Sequence, residues 1–116
     1  MPVPLSREVL AVLDRLLPAD DPVAAGLRAQ LPHARMSPGC ECGCATVHLH
    51  VATGEVAPVE SPRREFAAAR VEAADGTPRG GILLLVDGGY LSWLEIYSYD
   101  APIGEWPSPC EVHPDG

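Results

Sequence analysis

Residues 81–99 read GILLLVDGGYLSWLEIYSY, in which two apolar runs flank the tripeptide Asp-Gly-Gly at 87–89. Glycine adopts the positive φ angles that tight hairpin turns require, so this pattern predicts a β-hairpin. The predicted strands cover residues 82–87 and 90–99. Two consecutive long strands favour an antiparallel meander of three or four strands.

The returning strand has apolar residues on both of its faces. Leu94 and Ile96 share one face, and Trp93, Tyr97 and Tyr99 share the other. If the sheet is uncovered on the aromatic side, this row is an interaction surface, because aromatic residues are enriched at protein interfaces. We expect the row to be core instead, since a soluble monomer rarely leaves a large apolar patch open.

A further strand is predicted over 46–52, where apolar and polar residues alternate. Val47 and Leu49 point to one side of this strand, and His48 and His50 point to the other. Such a histidine pair can chelate one metal ion, although outward strand positions are normally just polar.

Residues 65–74 are ambiguous. A run of three alanines at 67–69 favours a helix. A strand is the alternative, ended by the turn residues Asp75 and Gly76. We predict a strand, because the hairpin at 82–99 needs a neighbour.

Two helices are predicted before the sheet, over about 6–17 and 22–31. Ser6 and Asp21 are favourable N-cap residues, and Pro22 fits the first position of a helix. The fold class is therefore α+β, with N-terminal helices packed on a three- to four-stranded antiparallel meander.

The rest of the chain is predicted to be irregular, within a single domain spanning 1–116. Residues 32–44 contain proline, glycine and three cysteines, which predicts a loop or a short irregular strand. Four prolines follow position 101, so 101–116 is predicted to be an irregular tail.

The composition excludes some classes of function. The formal net charge is −8, which disfavours nucleic-acid binding and would attract a basic protein partner. No apolar run approaches the roughly 20 residues that span a bilayer, so no membrane association is expected. The amino terminus lacks the pattern of a secretory signal, which predicts a cytoplasmic protein.

Three of the four cysteines, Cys40, Cys42 and Cys44, lie within five residues. Zinc takes four ligands in a tetrahedron, and three thiolates supply all but one of them. The candidates for the fourth ligand are His48, His50, Cys110 and His113. Cu(I) would also accept soft thiolates, and buried cysteines that merely pack as small apolar residues are the alternative.

Three hypotheses about function follow. The first is a small non-enzymatic module that holds a structural metal, such as zinc, through the cysteine cluster. The second is an acidic protein–protein binding protein, immunity-like or regulatory, with a basic partner. The third is a thiol-redox enzyme, although the Cys-x-x-Cys motif of such enzymes is absent.

The chain resembles a group of small bacterial proteins, mostly from actinobacteria, over most of residues 27–107. The matching motifs are Cys-x-Cys-Gly-Cys at 40–44 and DGGYLS followed by LEIYS at 87–98. In those proteins a proline follows the last cysteine, whereas Ala45 stands there in this chain. The resemblance implies a strand at 65–74 and implies no activity.

Overall fold

The computed structural model describes residues 1–39, 41, 43–60 and 63–115. Within these ranges it contains two α-helices, α1 (Arg7–Leu16) and α2 (Pro22–Gln30). The strands are β1 (Val3–Pro4), β2 (Ala34–Pro38), β3 (Val47–Val51), β4 (Glu65–Glu72), β5 (Pro78–Asp87), β6 (Tyr90–Ser98) and β7 (Val112–Pro114). Short 3-10 helices at Leu31–His33 and Pro109–Glu111 precede β2 and β7.

Local sequence explains where both helices begin. The Ser6 hydroxyl accepts a hydrogen bond from the Val9 amide at 3.1 Å. The Asp21 carboxylate accepts from the amides of Val23 and Ala24 at 2.8 and 3.2 Å. Each side chain thereby pairs amide groups that have no partner within the helix.

The seven strands form one antiparallel sheet in the order β1-β2-β3-β6-β5-β4-β7. The prediction of helices on a three- to four-stranded meander is therefore wrong, because the protein is mostly sheet. The sheet consists of two meanders, β1-β2-β3 and β4-β5-β6, joined where β3 pairs with β6. The ambiguous segment after residue 64 is the strand β4.

The strands absent from the predicted sheet are short and contain proline. β1 has two residues and β7 has three, and they form the two edges of the sheet. Proline lacks the amide that a ladder needs, so it is tolerated only at edges and strand ends. The tail predicted to be irregular thus supplies β7, which pairs with β4.

The turn between β5 and β6 has the predicted form. Asp87 pairs with Tyr90, and the two glycines between them have φ of +61° and +86°. Two successive positive φ angles are typical of the turn that suits the twist of a hairpin.

The helices cover only one face of the sheet. Their buried residues pack with the strand residues on that face in one core; its members include Val9, Val12, Leu13, Leu16, Leu27, Leu49, Val71, Ile82, Leu84, Leu94, Ile96 and Val112. Side chains alternate along a strand, so the residues between these point to the opposite face. No described helix covers that opposite face, which we call the open face.

Candidate functional site: the open face of the sheet

Strand register places the open-face side chains in rows across the sheet. One row runs Ser37, His48, Trp93, Leu85 and Glu65, through the pairing of β2, β3, β6, β5 and β4. The other open-face residues are Arg35, His50, Ala68, Arg70, Glu72, Leu83, Glu95, Tyr97 and His113. The centre of the open face is apolar and both sides are polar.

The aromatic row lies on this face, so the prediction that it is core is wrong. Tyr97 is 41% exposed and Tyr99 is 66% exposed. Their rings meet edge-on, with centroids 6.2 Å apart and an interplanar angle of 63°. Trp93 is half-buried, as are Leu83 and Leu85 beside it.

The surroundings of Tyr97 on the open face raise the pKa of its hydroxyl. Partial burial raises the pKa of the Tyr97 hydroxyl, and the negative potential of Asp115, Glu65 and Glu95, together with Tyr99, raises it further. The Tyr97 hydroxyl therefore stays protonated, and the surface around it favours positive charge.

Neighbouring carboxylates partly neutralise the positive charge of Arg70 on the open face. An Arg70 nitrogen lies 3.1 Å from a Glu72 oxygen, and another lies 3.9 Å from an Asp115 oxygen. His113 also lies 3.6 Å from Glu72. Four carboxylates (Glu65, Glu72, Glu95 and Asp115) thus face two guanidinium groups (Arg35 and Arg70).

Trp93 connects this face to the segment that carries the cysteines. Its indole N–H donates to a Glu95 oxygen at 3.2 Å. A Cβ added to Gly39 would lie 2.8 Å from the indole ring, so the tryptophan covers this glycine. The ring of His48 lies edge-on to Trp93, with centroids 5.7 Å apart.

His48 and His50 stack on each other. Their ring centroids are 4.6 Å apart and the planes are inclined by 19°. The Nε2 atom of His50 lies 2.7 Å from the Ser37 hydroxyl on the neighbouring strand. Burial lowers the pKa of His50, and the positive potential of His48 and of the amino terminus lowers it further.

The three clustered cysteines fall between β2 and β3 in the sequence. The Gly39 amide donates to the Thr46 carbonyl at 3.0 Å, which ties the residue after β2 to the residue before β3. The Thr46 hydroxyl accepts a hydrogen bond from the Ile96 amide at 3.0 Å and donates one to the Ile96 carbonyl at 3.2 Å. The Ala45 amide donates to the Ile103 carbonyl at 2.8 Å, so the loop is held from both sides.

Of the three predicted thiol ligands, only Cys44 lies within the described residues. Cys40 and Cys42 lie outside them. Cys44 is half-buried and lines a mostly apolar cleft of about 290 Å³ with Val3, Met36 and Val47. The lining comes from β1, β2 and β3, so this cleft lies toward the β1 edge of the sheet.

The four candidates for a fourth ligand do not converge. His48 and His50 lie together on the open face near the cysteine loop. Cys110 and His113 lie at the far edge, because β7 is four strand spacings from β3, or about 19 Å. Among the described residues, no group of three histidine, cysteine or acidic side chains is arranged to hold a metal ion.

Some contributors to this surface were not identified from sequence. The sequence does not predict a role for Ser37, because residues 32–44 contain proline and glycine and predict a loop or short irregular strand. It does not predict one for Asp115, because 101–116 is predicted to be an irregular tail. The alternation of Arg35 and Ser37 with Ala34 and Met36 is the one indication that could have placed Ser37 beside His50.

Comparison with known proteins does not place the chain in a family. No family model matches the chain, and neither does any curated protein or solved structure. The resemblance to actinobacterial proteins therefore stays a prediction. Among the described residues, no helix has the length and hydropathy needed to span a bilayer.

Proposed function

We propose that this protein is a non-catalytic binding module whose open face binds a basic protein partner. The observation that carries the proposal is the exposed pair Tyr97 and Tyr99 beside an apolar centre and a set of carboxylates. This is the second of the hypotheses drawn from the sequence, and it is the one that the described geometry supports best.

The apolar centre supplies affinity. Trp93, Leu83 and Leu85 are half-buried, and no described helix packs over them. Covering such residues with a partner removes apolar area from water, at about 25 cal/mol per Å². Tryptophan and tyrosine are the residues that most often dominate the energy of an interface.

The charges supply the preference for a basic partner. The chain carries −8 overall, and on the open face carboxylates outnumber guanidinium groups by four to two. Arginine or lysine side chains of a partner could pair with Glu95 or Asp115 and lie against the tyrosine rings. The same acidic surface would repel nucleic acid and acidic proteins.

A defined peptide tests this proposal. We expect an eight-residue peptide of alternating arginine and leucine to bind, and the same peptide with glutamate for arginine not to bind. Calorimetry gives the affinity, and amide chemical shifts of β5 and β6 locate the contact. The double variant Glu95→Gln/Asp115→Asn should weaken binding about fivefold or more, since each lost charge pair contributes roughly 0.5 kcal/mol.

The double variant Glu8→Gln/Asp20→Asn is the matched control. It removes the same charge from α1 and the turn after it, and both residues are exposed. Its affinity for the arginine peptide should stay within about twofold of the wild type, apart from a small long-range effect. Equal weakening by both variants, or shifts confined to the helices, would show that the peptide senses only net charge.

A second candidate function is metal binding by the cysteine loop. The favouring observation is the hydrogen bond from Gly39 to Thr46, because Cys40, Cys42 and Cys44 all fall between these two residues in the sequence. We propose zinc or Cu(I) as the ligand, with a structural role in holding the entry to β3. Reduced thiols of this kind fit a cytoplasmic location.

Metal analysis of protein purified without an affinity tag tests the cysteine loop. We expect about one equivalent of zinc in the wild type, most of which is lost on Cys42→Ser. Cys110→Ser is the control, because Cys110 is exposed at the far edge of the sheet and should not matter. Less than about a tenth of an equivalent in the wild type, or equal loss in both variants, would refute this role.

A further inference from the structure

We infer that His48 and His50 form a two-histidine chelate for a divalent transition metal, of the class Cu²⁺, Ni²⁺ or Zn²⁺. The site lies on the open face and uses different ligands from the cysteine loop. It is also independent of the basic partner proposed above, since it requires neither tyrosine nor carboxylate.

The spacing along β3 provides the chelate. His48 and His50 are two residues apart on one strand, so both side chains leave the sheet on the same face. The rings are nearly parallel, with centroids 4.6 Å apart. A metal ion needs each nitrogen at about 2.0–2.1 Å in the plane of its ring, so the two rings must rotate out of their stack for one nitrogen of each to reach a shared ion.

Ser37 completes the arrangement by orienting His50. Its hydroxyl lies 2.7 Å from Nε2 of His50, which leaves Nδ1 for the metal. Histidine ligands almost always make a hydrogen bond through the nitrogen that does not bind the metal, and this bond fixes the ring. Ser37 is therefore a positioning residue and not a ligand.

The donor set selects the class of ion. Imidazole suits Cu²⁺, Ni²⁺ and Zn²⁺, whereas Ca²⁺ and Mg²⁺ require oxygen ligands. Two imidazoles leave the remaining positions to water. Binding of copper should be the tightest of these, because divalent ions at nitrogen sites follow the Irving–Williams order.

Nuclear magnetic resonance provides the test, because the chain has two tryptophans in different places. Trp93 lies 5.7 Å from His48, whereas Trp106 belongs to the C-terminal tail and packs against the hydrophobic core. The sample is a variant with all four cysteines changed to serine, and paramagnetic Cu²⁺ is added below one equivalent. We expect the indole N–H signal of Trp93 to broaden first, while that of Trp106 persists.

Two further measurements complete the design. One compares Cu²⁺ binding among point variants, and the other is calorimetry with Zn²⁺ on the protein that keeps its cysteines. We expect His48→Ala and His50→Ala each to weaken Cu²⁺ binding about tenfold or more, and Ser37→Ala to weaken it less. His33→Ala is the control, because His33 lies elsewhere and contacts Glu55, and it should change nothing. The intact chain should bind a second, weaker equivalent of Zn²⁺ beyond the one expected at the cysteines, and this second equivalent should be lost in the His48→Ala variant and kept in His33→Ala.

Two outcomes would overturn this inference. One is Cu²⁺ binding that His48→Ala and His50→Ala leave unchanged. The other is metal binding that disappears entirely in the cysteine-free variant while its spectrum stays dispersed, which would assign the metal to the thiols. Neither outcome bears on peptide binding, so the proposed partner remains separately testable.

Discussion

Replacing Gln30 with leucine should lower the free energy of unfolding by about 3 kcal/mol, although leucine is apolar and similar in size. Gln30 is fully buried at the end of α2. Its amide nitrogen donates to the carbonyls of Gly89 and Ala57 at 2.9 and 3.3 Å. Its amide oxygen accepts from the Leu91 amide at 3.0 Å.

The cost arises from three hydrogen bonds that leucine cannot replace, because it neither donates nor accepts. Each lost bond costs about 0.5–1.5 kcal/mol, and a buried amide left without its partner, as at Leu91, costs about 1–3 kcal/mol. The Gly89 carbonyl keeps a second donor, the Val59 amide at 2.8 Å, so the loss there is smaller. The same bonds join α2 to the hairpin turn and to the loop before β4, so these parts should loosen together.

Urea denaturation measures the effect, and thermal unfolding should show a midpoint lower by about 10 °C or more. Ala29→Leu is the matched control, because it places the same side chain one position earlier on the exposed side of α2. It should change the stability by less than about 0.5 kcal/mol. A Gln30→Leu variant as stable as the control would mean that these hydrogen bonds contribute nothing.

Features set by neighbouring residues were predictable from sequence. The N-caps Ser6 and Asp21 act within three residues of themselves, and the glycines at 88 and 89 set the turn between β5 and β6. The role of Gln30 was not predictable, because its partners lie 27 to 61 positions along the chain.

The architecture was predicted incorrectly because the sheet depends on pairing between distant segments. β3 pairs with β6, and the tail returns to pair with β4. Alternation within β5 and β6 also did not say which face the helices cover. Both faces are apolar there, with Ile82 and Leu84 on one and Leu83 and Leu85 on the other.

The candidate site was predictable in part. His48 and His50 were identified as a pair because alternation within one strand places them together. Ser37, which contacts His50, comes from β2, and Asp115 comes from the C-terminal tail. Prolines in both segments concealed their strand structure. The fourth ligand for the cysteines could not be chosen, since the choice depended on strand order and not on spacing in the sequence.

Gly80→Ala should destabilise the protein by about 3 kcal/mol or more, a cost at the upper end for an added methylene in a packed site. Neither Gly80 nor Gly81 has a positive φ, so alanine is compatible with the backbone at both positions. At Gly80 the added Cβ would overlap the carbonyl oxygen of Tyr97 and lie 2.8 Å from the Ser98 Cα. These are backbone atoms of β6, so relief requires the two central strands to separate.

Gly81→Ala is the matched variant, and it should behave differently. There the three nearest atoms to the added Cβ all belong to the ring end of Tyr97, which covers Gly81 on the open face. A side chain can rotate away, and alanine reduces the chain entropy lost on folding, so the net loss should be about 1 kcal/mol or less. Displacing Tyr97 should nevertheless weaken binding of the arginine peptide, because the tyrosine pair would be separated.

Urea denaturation measures the stability of both variants, and titration with the arginine peptide measures the affinity of Gly81→Ala. Together they distinguish a loss of packing from a loss of binding. Gly80→Ala should unfold at a much lower urea concentration or fail to accumulate as folded protein. Gly81→Ala should remain folded with a shifted Tyr97 ring signal and reduced affinity. Equal stability of the two variants would contradict the close approach of β5 to β6 at Gly80. Unchanged affinity in a Gly81→Ala variant whose tyrosine had moved would remove Tyr97 from the binding surface.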